Sequence, residues 1–195
     1  MPIHQSLHLQ IKGRKIIRHV FSTISLAGIT CLPRVLIQDI TNIHVGVLAN
    51  QQASAAYQGG NLVTAFVERT PVLVTAGEIH VANRKGFLDA NLSPTIDKLG
   101  TIRVFQHTID TVGVSIPSAG QTLKGKKKKA QFKCSGMGTV VVVASLRLLL
   151  NDHDTFSAAL AANAYRGNET LTAQGVEVVN EIHNAIQSGI DAFST

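Results

Sequence analysis

The densest group of residues with an obvious chemistry is a run of lysines between two segments predicted to be strands. Six of them fall within ten positions, namely Lys124, Lys126, Lys127, Lys128, Lys129 and Lys133. Each lysine is a flexible point charge, so ammonium groups at this density attract phosphate without reading base sequence. The cluster therefore predicts a loop that binds RNA or another nucleic acid. The alternative is a solvated connection that only keeps the neighbouring strands soluble.

Two other groups could hold a metal or a nucleophile. Residues 151–154 contain two aspartates and a histidine, but neighbours in sequence rarely converge on one ion. A strand-to-helix turn capped by Asp154 is the better interpretation. Cys134 would need a positioned base to act as a nucleophile, and the sequence indicates none. We predict no catalytic residue, no metal site and no cofactor, and hence a protein that is not an enzyme.

The composition narrows the class of protein. Charged residues are 15% of the 195 residues and the net charge is +6, whereas roughly a quarter of an ordinary soluble domain is charged. Low charge with a positive balance is typical of a subunit that buries surface against copies of itself around an anionic partner. No apolar run approaches the roughly 20 residues of a membrane span, and the N-terminus lacks the layout of a signal peptide. We expect no membrane partner, and the sequence leaves the location open (a virion or the cytoplasm for a capsid-like subunit).

Alternation of apolar and polar residues predicts that residues 1–150 are rich in strands. The first two strands, residues 7–11 and 16–26, form a hairpin around Gly13, and a basic amphipathic helix over residues 14–27 is the alternative. The later strands are predicted at 35–40, 43–48, 62–68, 72–75, 78–82, 101–109, 111–116, 131–134 and 139–150. Thr70–Pro71 separates two of these strands, and residues 117–129 form a long basic connection.

The pattern changes after Asp154, where two helices are predicted. The first covers residues 155–165, and the second covers residues 170–193. The apolar face of the second helix is formed by residues three or four positions apart, namely Val176, Val179, Ile182, Ile186, Ile190 and Phe193. The predicted fold class is therefore α+β, a mainly antiparallel β-sheet with an N-terminal β-hairpin and two C-terminal helices. We expect one domain over residues 1–195, with its helical segment at 154–193.

This order of elements resembles that of the coat proteins of small RNA bacteriophages. The resemblance implies that two subunits join their sheets, that the helices cover the partner and that the inner sheet face binds RNA. We predict a self-assembling, capsid-like structural subunit, a homo-oligomer that contacts nucleic acid through its lysine-rich loop. One alternative is a monomeric nucleic-acid-binding module. The other is a small isochorismatase-like hydrolase, because Val72–Thr75 resembles the second strand of that family.

Overall fold

Helices make up nearly all of the described chain. A computed structural model describes residues 33–58, 62–127 and 137–194. The helices are α1 (33–56), α2 (Leu62–Leu92), α3 (Lys98–Asp110), α4 (Val112–Lys127), α5 (Met137–Asn163) and α6 (Glu169–Ser194). No residue in these ranges lies in a strand. The predicted α+β fold class is wrong, and the predicted hairpin at residues 7–26 lies outside the described residues.

The first helix shows how the strand prediction failed. Leu36, Ile40, Ile43 and Val47 are all buried and are separated by four, three and four positions. This is the 3.6-residue period of a helix with one apolar face. The predicted strands at 35–40 and 43–48 each contain only two of these four residues. Each segment is therefore too short to show the helical period. The apolar stripe of α1 instead packs into the core shared by the other helices.

Two prolines that were interpreted as breaks lie inside helices. Pro71 is within α2 and Pro117 is within α4. Each proline removes one backbone N–H from the helical ladder. Near Pro71, the side-chain amide of Asn50 in α1 donates to the carbonyl of Val72 at 2.9 Å and to Thr75 Oγ1 at 2.9 Å. These bonds tie α1 to the part of α2 that the proline weakens.

The fifth helix joins two segments that the sequence analysis separated. The predicted strand at 139–150 and the predicted helix at 155–165 are parts of one helix, Met137–Asn163, so Asp154 caps nothing. Its apolar residues lie on several sides, since Phe156 is buried in the core while Val140 and Leu148 are exposed. A helix with apolar residues on opposite sides has no polar face to reveal its period. A continuous apolar run of this kind is easily mistaken for a buried strand.

The sixth helix begins and ends close to the range expected from the sequence. It spans Glu169–Ser194, and the side-chain oxygen of Asn168 accepts the backbone N–H of Leu171 at 3.1 Å, which caps its first turn. Ile182, Ile186 and Ile190 of the predicted apolar face are buried. Burying one such side chain contributes about 1.5–3 kcal/mol, which makes this face the main attachment of α6 to the bundle.

Polar links fix the position of α1 against its neighbours. His44 Nδ1 lies 3.0 Å from Ser115 Oγ in α4, and Lys85 Nζ of α2 lies 2.6 Å from Asp39 Oδ1. Burial raises the pKa of Asp39, and the ammonium of Lys85 acts against that rise.

Within the described ranges, no helix combines the length and the apolar character that crossing a membrane requires.

Candidate functional site

A cavity of about 1130 Å³ lies between the helices. This exceeds the roughly 300–1,000 Å³ of ordinary ligand pockets. All six helices contribute apolar side chains to its wall, among them Ile40, Ile43, Ile79, Phe105, Val112, Ile116, Leu146, Phe156, Ile182 and Ile186. A space of this size with such a wall suits an aliphatic guest better than a polar one, because water gains few hydrogen bonds from it.

The exposed part of the cavity wall lies on α5, on α6 and on the connection between them. The wall begins at buried residues such as Ile40 and Ile182 and continues to the exposed residues Ala158, Ala161 and Val176. The alanine side chains at this exposed end are too short to cover the cavity. We infer that this side is the entrance.

Two polar groups deep in the wall are satisfied by their own helix. Thr108 Oγ1 donates to the carbonyl of Val104 at 2.8 Å, and the side-chain amide of Asn83 donates to the carbonyl of Ile79 at 2.9 Å. Bonding of this kind turns the polar atom toward the backbone and presents methyl or methylene groups to the cavity. The chemical character of the wall is therefore more apolar than its residue types suggest.

His153 is a wall residue that links α5 to α6, and Ser157 lies beside it in the wall. His153 is only 9% exposed, and its Nε2 lies 3.1 Å from the carbonyl oxygen of Val179. A carbonyl can only accept, so Nε2 carries the hydrogen and Nδ1 is the acceptor in the neutral ring. Ser157 Oγ lies 3.4 Å from that Nδ1. Burial lowers the pKa of His153, which favours this neutral form.

The lowered pKa of His153 predicts a loss of stability in acid. The unfolded state takes up a proton near the ordinary pKa of 6.5, while the folded state takes it up only at lower pH. The stabilising contribution is complete above that value and is lost as the pH falls through the folded pKa. In His153→Gln the free energy of unfolding should therefore fall less steeply as the pH decreases, by up to about 1.4 kcal/mol per pH unit. Urea unfolding from about pH 7 to pH 5 measures it, and parallel curves for the two proteins would contradict it.

The other members of the 151–154 segment point in different directions. Asp152 Oδ2 lies 2.6 Å from His80 Nδ1 in α2, and Asp154 Oδ1 lies 2.8 Å from His183 Nδ1 in α6. One turn of α5 thus makes three separate contacts. Across the described parts of the chain, no three side chains of the metal-binding types come together as a metal site.

The predicted nucleic-acid-binding lysines are spread over the end of α4 and beyond it. Lys124 Nζ donates to Ser188 Oγ of α6 at 3.0 Å. Lys126 Nζ donates to the carbonyls of Ala55 and Tyr57, at 2.9 Å for Tyr57, which satisfies carbonyls at the end of α1. Lys127 closes α4. The three remaining lysines, Lys128, Lys129 and Lys133, lie outside the described residues, as does Cys134. Any ligand of these lysines stays a prediction from sequence.

The class of protein is decided by a family comparison. The family model described as hydrophobic surface binding protein A matches residues 34–162, which is more than half of the chain. The chain belongs to the hydrophobic surface binding protein A family. The match runs from α1 to the last turn of α5 and so includes five of the helices that form the cavity wall. No curated protein sequence matches the chain.

Solved structures of other proteins share the fold of this hydrophobic surface binding protein A family member. Afmp4p in complex with palmitic acid is 17% identical with a TM-score of 0.70, and the match covers 83% of this chain and 99% of that one. Ligand-binding domain 1 of the Penicillium marneffei MP1 protein, complexed with arachidonic acids, is 20% identical with a TM-score of 0.69, covering 81% and 95%. Domain 2 of MP1, complexed with multiple arachidonic acids, is 19% identical with a TM-score of 0.68, covering 80% and 92%.

These findings overturn the function predicted from the sequence. The capsid-like subunit with itself and RNA as partners is wrong, and so are the nucleic-acid-binding module and the isochorismatase-like hydrolase. The chain is a family member whose helical fold is that of proteins solved with fatty acids. The low charge that favoured assembly has another cause, since apolar residues line the cavity and also lie on exposed helix faces. No local motif indicated the cavity, because its wall combines residues from all six helices.

Proposed function

We propose that the chain binds a long-chain fatty acid or a similar aliphatic lipid in the cavity between its helices. The observation that carries the proposal is the apolar wall of a cavity of about 1130 Å³ that opens between α5 and α6. The complexes of Afmp4p with palmitic acid and of MP1 domains with arachidonic acids support it, because those chains share this fold. We propose a binding protein rather than an enzyme, since the wall offers contacts to an alkyl chain and few groups able to react.

Chain length is the most direct test of this proposal. Each buried methylene group contributes about 0.8 kcal/mol, so every added methylene should tighten binding about fourfold until the cavity is filled. Displacement of a fluorescent fatty acid by a series from octanoate to palmitate measures this, and native mass spectrometry gives the number of lipids per chain. Affinity that does not change along the series would contradict the proposal.

An exposed apolar stripe on α2 favours a second function, adsorption to hydrophobic surfaces. Val67, Val74, Val81 and Leu88 are spaced by seven positions and are 64%, 53%, 66% and 54% exposed. They lie opposite the face of α2 that carries the buried Ile79 and Ala90 (helical positions repeat every 3.6 residues). Large exposed apolar patches are uncommon on proteins without an interaction there. The description of the family as hydrophobic surface binding agrees with such a use.

Placing charge on this α2 stripe should reduce adsorption without affecting lipid binding. The variant is the pair Val74→Lys and Val81→Lys, and the matched control is Val45→Lys with Val114→Lys, which are 58% and 64% exposed elsewhere. Burying an ammonium against an apolar surface is costly, so we expect at least a tenfold loss of adsorption. Depletion of the protein from solution by alkyl-coated beads measures it. An equal loss in the control would show that adsorption does not use α2.

A further inference from the structure

Resting on the lipid binding proposed above, we propose that His153 and Ser157 hold the polar head of the bound lipid by hydrogen bonds between neutral groups. The site would then select a hydroxyl or a protonated carboxyl group over a carboxylate. Both side chains belong to the cavity wall, near the point where it passes from the buried core to the opening between α5 and α6. An alkyl chain reaching into the core would leave its head at this level.

The two side chains offer one acceptor and one donor to the cavity. The hydrogen on Nε2 of His153 is used by the carbonyl of Val179 at 3.1 Å, so Nδ1 is left as an acceptor. The Ser157 hydroxyl lies 3.4 Å from Nδ1, longer than the roughly 2.7–3.2 Å of a well-formed bond. A weak bond between the pair can open at little cost and let each group bond to a ligand oxygen instead.

A neutral head group complements this pair better than a charged one. A hydroxyl or a protonated carboxyl can donate to Nδ1 and accept from Ser157, whereas a carboxylate can only accept. The neighbouring carboxylate of Asp154, held by His183 at 2.8 Å, would also repel a second negative charge. Arg166 and Glu169 lie further along, at the exposed connection into α6. Arg166 is the one lysine or arginine among the described wall residues, and it marks the competing position for a charged head.

The test compares three ligands with the same alkyl chain, namely dodecanol, dodecanoate and dodecyl methyl ether. Each displaces a fluorescent fatty acid from the wild-type chain, Ser157→Ala and Thr108→Val. Thr108 is the matched control because its hydroxyl also belongs to the wall but donates to Val104 at 2.8 Å. We expect the wild-type chain to prefer dodecanol to the ether. The oxygens of dodecanol and of the ether both accept from Ser157, so Ser157→Ala should weaken the binding of both about fivefold, the value of one neutral hydrogen bond, and Thr108→Val should weaken neither.

His153→Phe provides the second readout, because the phenylalanine ring keeps most of the volume of the histidine ring and has no acceptor for a donated hydrogen. Its preference for dodecanol over the ether should fall about fivefold. Unchanged affinities in Ser157→Ala together with an unchanged preference in His153→Phe overturn the head-group assignment and leave lipid binding intact. Tighter binding of dodecanoate that disappears in Arg166→Gln also overturns it and assigns the head to Arg166. If none of the three ligands displaces the probe, the proposed lipid binding itself fails.

Discussion

Replacing Ala119 by phenylalanine should lower the affinity for palmitate at least tenfold while the chain stays folded. Ala119 lies in the cavity wall on α4, between the wall residues Ile116 and Leu123. A phenylalanine ring directed into the cavity competes with the alkyl chain for the same apolar wall, and aromatic side chains bury roughly 150–250 Å² each. Loss of the contacts of only two methylene groups already accounts for a tenfold change.

The matched control is the same substitution at Ala144. This residue is exposed on α5 and is not part of the cavity wall. Ala144→Phe should bind palmitate like the wild-type chain, and thermal unfolding followed by circular dichroism should show all three proteins folded. Equal affinities for Ala119→Phe and the wild-type chain would place the lipid outside the cavity. Equal losses in both variants would mean that the effect comes from the added ring and not from its position.

The part of the fold that was predicted from the sequence is α6, a long helix with one apolar face. In α6 the buried residues Ile182, Ile186 and Ile190 repeat at helical spacing, and the polar residues between them face outward. The period is visible because neighbouring helices cover one side only. Even here one position was misjudged, since Val176 is 55% exposed and Val178 is buried instead. The spacing of the apolar residues therefore identifies the helix, whereas tertiary packing decides which side of it is buried.

The second helix, which was predicted as strands, lacks such a face. In α2, Val74 and Val81 are exposed while Ile79 is buried, so apolar residues lie on opposite sides of one helix. The β-branched residues valine, isoleucine and threonine, which favour strands only weakly on their own, are common there. Opposed apolar faces also produce the short alternations that indicate a strand. Which face of α2 packs against other helices and which face is exposed depends on the tertiary structure. A local sequence pattern does not carry that information.

The candidate site was partly visible in the sequence but with the wrong chemistry. Residues 151–154 were noticed for their metal-binding types, whereas the structure sends Asp152, His153 and Asp154 to α2, to the cavity wall and to α6. Successive residues on a helix are about 100° apart, so they rarely share a target. The lysine cluster was more conspicuous, yet the described bonds of Lys124 and Lys126 connect α4 to α6 and to the end of α1. Conspicuous charge was therefore a poor guide to an apolar site.

Truncating Phe156 should destabilise the chain strongly, and the bound lipid should recover part of the loss. Its ring is 5% exposed and forms part of the cavity wall. It also packs so closely on Gly86 of α2 that a Cβ there would lie 2.7 Å from the ring. Phe156→Ala should cost about 3–5 kcal/mol of the free energy of unfolding. This is a large part of the roughly 5–15 kcal/mol available to a folded domain.

The recovery by lipid separates a wall residue from an ordinary core residue. Phe87 is the control, because its ring is partly buried against the core and stacks under Arg84 at 4.7 Å but is not in the cavity wall. A palmitate concentration a hundred times the wild-type Kd raises the free energy of unfolding by about 2.7 kcal/mol in any variant that keeps this Kd. The alkyl chain can additionally contact the surface that the Phe156 ring covered, so Phe156→Ala should gain about 1 kcal/mol more than Phe87→Ala. Urea unfolding with and without palmitate measures both, and Phe156→Leu serves if the alanine variant does not fold. An equal gain for the wall and control variants would mean that the bound lipid does not reach the position of the Phe156 ring.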